Sequence, residues 1–230
     1  DDAPSFFSGG RTMRNSPTTR AIQYVGQEAQ TSADKIVITT KLADPRGLAY
    51  THTLTLYADT PAAEVVTSVE NTGSKSVTFE MLSSFTLGSL SPFSTGLAPE
   101  SVKIHRMRST WSAEGRLVTE NAEDLQLEPS WKCYSANSVR FGSVGSFPVR
   151  GYVPFCAVED TAHGVTWAAA TTHASSWQME LYRQDFGLSL SGGLADREFG
   201  AWCKTLAPGE TFTAPKAVLT AVRGGVDEAA

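Results

Sequence analysis

Between Ile36 and Tyr57 the chain alternates twice over, and this pattern limits the fold more than any other stretch. Ile36, Ile38, Thr40 and Leu42 interleave with Val37, Thr39 and Lys41. After the turn Ala43-Asp-Pro-Arg-Gly47, Tyr50, His52, Leu54 and Leu56 interleave with Thr51, Thr53, Thr55 and Tyr57. A period of two on both sides of a Pro- and Gly-bearing turn predicts a β-hairpin. One face is apolar and the other rich in threonine, as in a sheet wetted on one side.

The same period recurs elsewhere. Val65, Thr67 and Val69 lead into Glu70-Asn-Thr-Gly-Ser-Lys75, and Val77, Phe79 and Met81 follow. These predict a second hairpin whose outgoing strand continues through Phe85 and Leu87. Val165 to Thr171 and Trp177 to Leu181 predict a third, joined by a short polar turn around His173. Shorter strands are expected at Val102–Met107, Arg116–Glu120 and Val153–Val158. Residues 121–129 and 143–148 read as loops. Phe186, Leu188 and Leu190 alternate before Ser191-Gly-Gly193, read as a turn, with Phe199–Leu206 returning. Ala207-Pro-Gly-Glu210 makes another turn before a last strand, Ala217–Val222. No window shows helical spacing with caps. Many strands and regular turns predict an all-β fold, a large antiparallel β-sandwich. No linker or repeat divides it, so residues 1–230 read as one domain with 1–20 as an irregular lead-in.

Charge and cysteine usage exclude several classes of function. With 19 basic and 24 acidic residues the net charge is −5, without the basic stripe that nucleic-acid binding requires. No apolar run approaches the roughly 18 residues of a membrane span. Cys133, Cys156 and Cys203 are scattered and odd in number, which predicts buried free thiols, not a zinc site or a disulfide framework. The start, Asp1-Asp-Ala-Pro, has neither an initiator Met nor an apolar signal region, so the compartment is left open between cytoplasm and exterior.

The residues with chemistry to offer are few. His52, His105, His163 and His173 stand apart from one another and from ligand-spaced carboxylates, so no metal site is expected. His52, on an apolar strand face, reads as a hydrogen-bonded core histidine. His173 reads as a turn residue, made more interesting by the neighbouring Trp177. No Gly-x-Ser-x-Gly, phosphate loop or Cys pair is present, and no cofactor is implied. Glycoside cleavage needs two carboxylates at a separation that only the fold can set. Glu180, alternating away from Trp177, Met179 and Leu181, reads as a solvated carboxylate. Among the tryptophans, Trp167 and Trp202 are assigned to the core, while Trp111 and Trp131 border loops. Trp177 could offer a stacking face to a sugar ring. The candidate contact residues are therefore Trp177 and His173.

Three segments resemble a known family in their order. Leu48-Ala-Tyr-Thr-His-Thr-Leu-Thr-Leu-Tyr with Glu70-Asn-Thr-Gly-Ser-Lys-Ser-Val-Thr-Phe-Glu resembles the early strands of glycoside hydrolase family 36, the microbial α-galactosidases. His163-Gly-Val-Thr-Trp to Ser176-Trp-Gln-Met-Glu-Leu resembles that family's hairpin with its Gly-Ser/Asn-Trp turn. Leu206-Ala-Pro-Gly-Glu-Thr-Phe-Thr-Ala-Pro-Lys-Ala-Val-Leu is similar to its Leu-x-Pro-Gly-Glu-x-Phe-x-Thr-Pro-Glu-x-Val-Leu signature, departing at Ala214 and Lys216. The likeness runs from about residue 40 to the end.

The resemblance implies an amino-terminal β-supersandwich, of the architecture shared with galactose mutarotases. A catalytic (β/α)8 barrel with two aspartates would follow in the same polypeptide. No catalytic role transfers to any residue of this chain, which on this reading is inert alone. Its implied partners are that barrel, other copies in a homo-oligomer and, for the whole enzyme, an α-galactoside. α-N-Acetylgalactosaminidase and galactosyl transfer are neighbouring activities. An independent carbohydrate-binding module and a sugar epimerase are the alternatives, though no His–Glu pair for the latter is marked by a motif.

Overall fold

The computed structural model describes residues 17–91, 99–129, 136–184 and 187–230. A short helix α1 (Pro17–Ala21) leads into β1 (Gln23–Thr31), β2 (Lys35–Asp44), β3 (Leu48–Tyr57) and β4 (Ala62–Asn71). Next come β5 (Val77–Phe79), β6 (Ser83–Leu90), β7 (Val102–Ser109), β8 (Arg116–Asn121), β9 (Ala136–Ser143) and β10 (Gly151–Asp160). Then follow β11 (Val165–Thr171), β12 (Trp177–Gln184), β13 (Gly187–Leu194) and a single-turn helix α2 (Arg197–Gly200). The chain closes with β14 (Lys204–Leu206), β15 (Thr211–Thr213), β16 (Ala217–Arg223) and α3 (Val226–Ala229).

The strands form a large antiparallel sandwich, as the alternation requires. One sheet has ten strands in the order β1-β2-β3-β4-β16-β11-β10-β7-β8, with β15 also against β4. A four-stranded sheet, β6-β13-β12-β9, packs on its inner face, and a two-stranded ribbon, β14-β5, covers the inner face beside it. Between the sheets lies the main core: Val65, Ile104, Val158 and Ala169 of the large sheet meet Phe85, Phe141, Trp177, Met179, Leu181, Leu188 and Leu190 of the small one. Under the ribbon a second cluster joins Leu48, Tyr50, Val69, Leu82 and Leu206. On the outer face α3 sets Ala229 against Ala157 and Ala168.

The first hairpin is as expected, with Thr40 opposite His52 and Asp44 opposite Leu48. The Asp44 carboxylate accepts from the Arg46 amide at 2.7 Å and from its guanidinium at 2.9 and 2.6 Å, which pins the turn. Gly47 takes φ +84°, and a Cβ there would lie 2.8 Å from Gly73 Cα, so the turn needs glycine on both counts.

The other two expected hairpins are corrected. β4 does not pair with β5; it pairs with β3, β15 and β16, while β5 pairs with β14. The chain breaks step at Glu80–Leu82 and enters the small sheet as β6, so Phe85 does not prolong the preceding strand. β11 and β12 likewise belong to different sheets: β11 lies between β10 and β16, β12 between β9 and β13. Residues 172–176 form an arch between layers. Alternation reads which face a residue takes and is blind to which neighbour its strand finds.

Smaller corrections have similar causes. Ser191-Gly-Gly193 lies inside β13, where Gly193 (φ +152°) sits at a bulge and its missing side chain admits the backbone of Ser84. Expected strand Phe199–Leu206 is α2 followed by β14; Asp196 caps α2, accepting from the Phe199 amide at 2.7 Å. β1, polar and exposed at an edge, and β9 carry no clear alternation and went unread. Cys156 is fully buried, which pushes its thiol up to about 12, but Cys203 is exposed. Trp131, Cys133 and Phe186 lie outside the described residues.

Candidate functional site

The arch brings His173 and Trp177 to one end of the sandwich but treats them differently. Trp177 is 0% exposed. Its ring meets Phe141 edge-on with centroids 6.0 Å apart, and Nε1 donates to the carbonyl of Pro148. A ring with no exposed face offers no stacking surface here. His173 is half-buried, and burial holds its imidazole below the ordinary value of 6.5. The arch is laced to the neighbouring loop after β9: the Gly145 amide donates to Ser176 Oγ at 2.8 Å, and Ser175 Oγ donates to the Gly145 carbonyl at 3.4 Å. Val144 and Phe147 stand exposed on that loop. What the tip displays is therefore His173, Val144 and Phe147.

Glu180 is the clearest correction among the candidate side chains. It is 0% exposed, not solvated, because the segment 195–202 roofs the outer face of β12. Arg140 Nε donates to it at 2.7 Å, and the same guanidinium reaches Asp196 at 3.4 Å and Glu198 at 3.1 Å. Burial works against the charge of Arg140, and the three carboxylates outweigh it, leaving the pKa raised. This is a clamp fixing the roof to the sheet.

Trp167 and Trp202 are partly buried and pack on the main and ribbon clusters respectively, whereas Trp111 is 90% exposed in a turn. His105 is held between Thr119 (2.9 Å) and Glu159 (2.8 Å). Ser91, Asp160 and His163 cluster, but the carboxylate stands in the middle: Ser91 Oγ donates to it at 2.6 Å and His163 Nδ1 lies 3.0 Å from it. With no imidazole against the hydroxyl, that order does not activate a nucleophile.

A different place was missed from the sequence. Over the inner face of β2, β3 and β4 lies a cavity of about 620 Å³, walled by the β5–β6 crossover and bordered by α1. Its floor carries one row across three strands, Thr40–His52–Thr67, and beside it Leu42–Tyr50. His52 was expected to be hydrogen-bonded in the core. It is half-buried on the cavity wall, its ring bonds no described residue, and burial lowers its pKa from 6.5. Tyr50 is only 6% exposed, yet its Oη has no hydrogen-bond partner. Burial first, and the charge of Asp44 next, push that phenol up to about 12. Arg46, whose Nε and Nη2 are engaged by Asp44, makes no well-formed hydrogen bond to the phenol but stands close enough to hold back part of that rise.

These features define a class of protein: a large antiparallel β-supersandwich with a cavity on its inner face and a laced tip at one end. No protein-family profile matches the sequence, and no curated protein matches it. Solved structures do. The galactosidase domain of the α-galactosidase–sucrose kinase AgaSK matches with a TM-score of 0.72 at 15% identity, over 90% of this chain and 28% of that one. The family 36 α-galactosidase AgaA from Geobacillus stearothermophilus matches at 0.70 and 13% identity, covering 90% and 29%. The α-galactosidase from Lactobacillus brevis gives 0.69 and 15%, covering 90% and 28%. The chain thus has the fold of one part of these enzymes and spans less than a third of their length, a match consistent with an amino-terminal domain.

Proposed function

We propose that this chain is the non-catalytic amino-terminal domain of a retaining α-galactosidase-like glycoside hydrolase of family 36. One observation carries the reading: nine-tenths of the chain matches while only 28% of the galactosidase domain of AgaSK is covered. The remainder of such an enzyme would hold the (β/α)8 barrel and both catalytic aspartates, and the domain would pack against that barrel in the same polypeptide.

The tip is the part of the domain we assign to the active-site mouth or to a contact between subunits. It combines a rigid base, supplied by Trp177 and the lacing of two loops, with a displayed imidazole and two exposed apolar side chains. Rigid loops bearing such groups suit an interface. The test has two arms. The gene is read beyond Ala230 for a barrel with paired aspartates, and its full-length product is assayed on p-nitrophenyl α-galactoside beside the present chain. Hydrolysis by the longer product alone supports the proposal; a stop directly after Ala230 overturns it. For the tip, His173→Ala with Phe147→Ser in the full-length product should raise KM or weaken assembly with the melting temperature unmoved. No change in either sinks that assignment.

A further inference from the structure

We infer that the cavity over β2, β3 and β4 binds a neutral sugar of mono- or disaccharide size, with Tyr50 Oη and the His52 ring as its anchors. The strongest pointer is the phenol. A hydroxyl that is buried and left without a partner costs free energy, and such groups in native proteins are few and call for an explanation. Tyr50 lines the cavity, is only 6% exposed and has no bond for its Oη. A ligand hydroxyl in the cavity would satisfy the phenol as donor or acceptor.

The second pointer is the row beside it. His52 stands between Thr40 and Thr67 on adjacent strands, with no bond to its ring among the described residues. A neutral imidazole presents one donor and one acceptor, and a hydroxyl presents both, so the row can follow the alternating donors and acceptors of a polyol. Thr40 Oγ1 already accepts from Gln27, and Thr67 Oγ1 donates to the Ser84 carbonyl, which orients both groups.

Charge and shape narrow the ligand class. The charged residues on the wall are engaged: Arg46 by Asp44, and Glu80 by Arg197. An ionic ligand therefore meets no uncommitted counter-charge among them. The rest of the wall is largely apolar and includes the half-buried Phe79, which suits the C–H face of a pyranose. A volume of about 620 Å³ lies within the usual range of small-molecule sites. The inference stands on these residues and is independent of any downstream barrel.

The test is ligand-observed saturation-transfer NMR together with thermal melts of the chain. The probes are methyl α-D-galactopyranoside, D-glucose and sucrose, with galacturonate as the anionic control and 1-octanol as the apolar one. At least one neutral sugar should give saturation transfer and raise the melting temperature at tens of millimolar, as mass action on the folded state requires. Tyr50→Phe removes the orphan hydroxyl, so it should melt higher than the parent without sugar and bind the sugar about tenfold more weakly. His52→Phe, which fills the cavity, should abolish the signal while the protein stays folded. Binding of 1-octanol or galacturonate with no response to neutral sugars overturns the ligand class. Sugar binding unaltered in both variants overturns the site, and no response to any probe overturns the inference.

Discussion

The arch end and the cavity end of the sandwich both gather aromatic and polar groups, and they treat them in opposite ways. At the arch Trp177 has no exposed surface and its indole N–H is bonded. In the cavity wall the Tyr50 hydroxyl is buried and has no partner. The first arrangement is what packing for stability produces; the second gives up stability at one spot for a surface that a ligand can complete. An aromatic residue next to a turn is thus a poorer guide to a contact than a buried hydroxyl without a bond.

The comparison can be broken most directly at Trp177. Trp177→Ala should cost about 4 kcal/mol, read from the denaturant midpoint, because a large ring is removed from a core that closes only partly behind it. Little or no loss would put the arch among the displayed surfaces. Glu180→Ala, behind the same strand, should cost about 3 kcal/mol, since Arg140 loses its most buried counter-charge while keeping Asp196 and Glu198. At the other end the sign reverses: Tyr50→Phe should stabilise by about 1 kcal/mol in the same titration.

A pH series sharpens the contrast further. The folded-state pKa of His52 is depressed by burial, so the unfolded chain binds protons more readily. Its contribution is fully present above the ordinary value of 6.5 and is lost as pH falls through the interval below it. His173 acts in the same direction. The fall in stability between about pH 7 and about pH 5 should shrink in His52→Gln and shrink again in the double variant with His173→Gln. Smallest of all, Trp111→Ala should change stability by less than about 0.5 kcal/mol, its ring being 90% exposed.

Much of this was legible beforehand, and the limits are instructive. The turn at Ala43–Gly47 fixes the register of β2 on β3, so Thr40 opposite His52 follows from the sequence. What covers that row does not, because the β5–β6 crossover was read as one strand continuing a hairpin. Trp177 and Glu180 failed for a related reason. Alternation assigns them to opposite faces of β12, but both faces are buried, one by the large sheet and one by the roof that Asp196 begins. Periodicity carries the face of a residue; layer and cover come from segments far away in the chain.

The position of β16 has a consequence for how the molecule comes into being. Residues 217–223 lie between β4 and β11, pairing Ala217 with Val65 on one side and with Thr171 on the other. During synthesis the meander β1–β4 and the group β11-β10-β7-β8 are both made while the strand that joins them is still missing. Until it emerges, each half-sheet keeps an open edge facing the gap, the kind of edge that invites pairing with another chain. The last long strand is the keystone, and a nascent chain cut before Ala217 is a chain with two sticky edges.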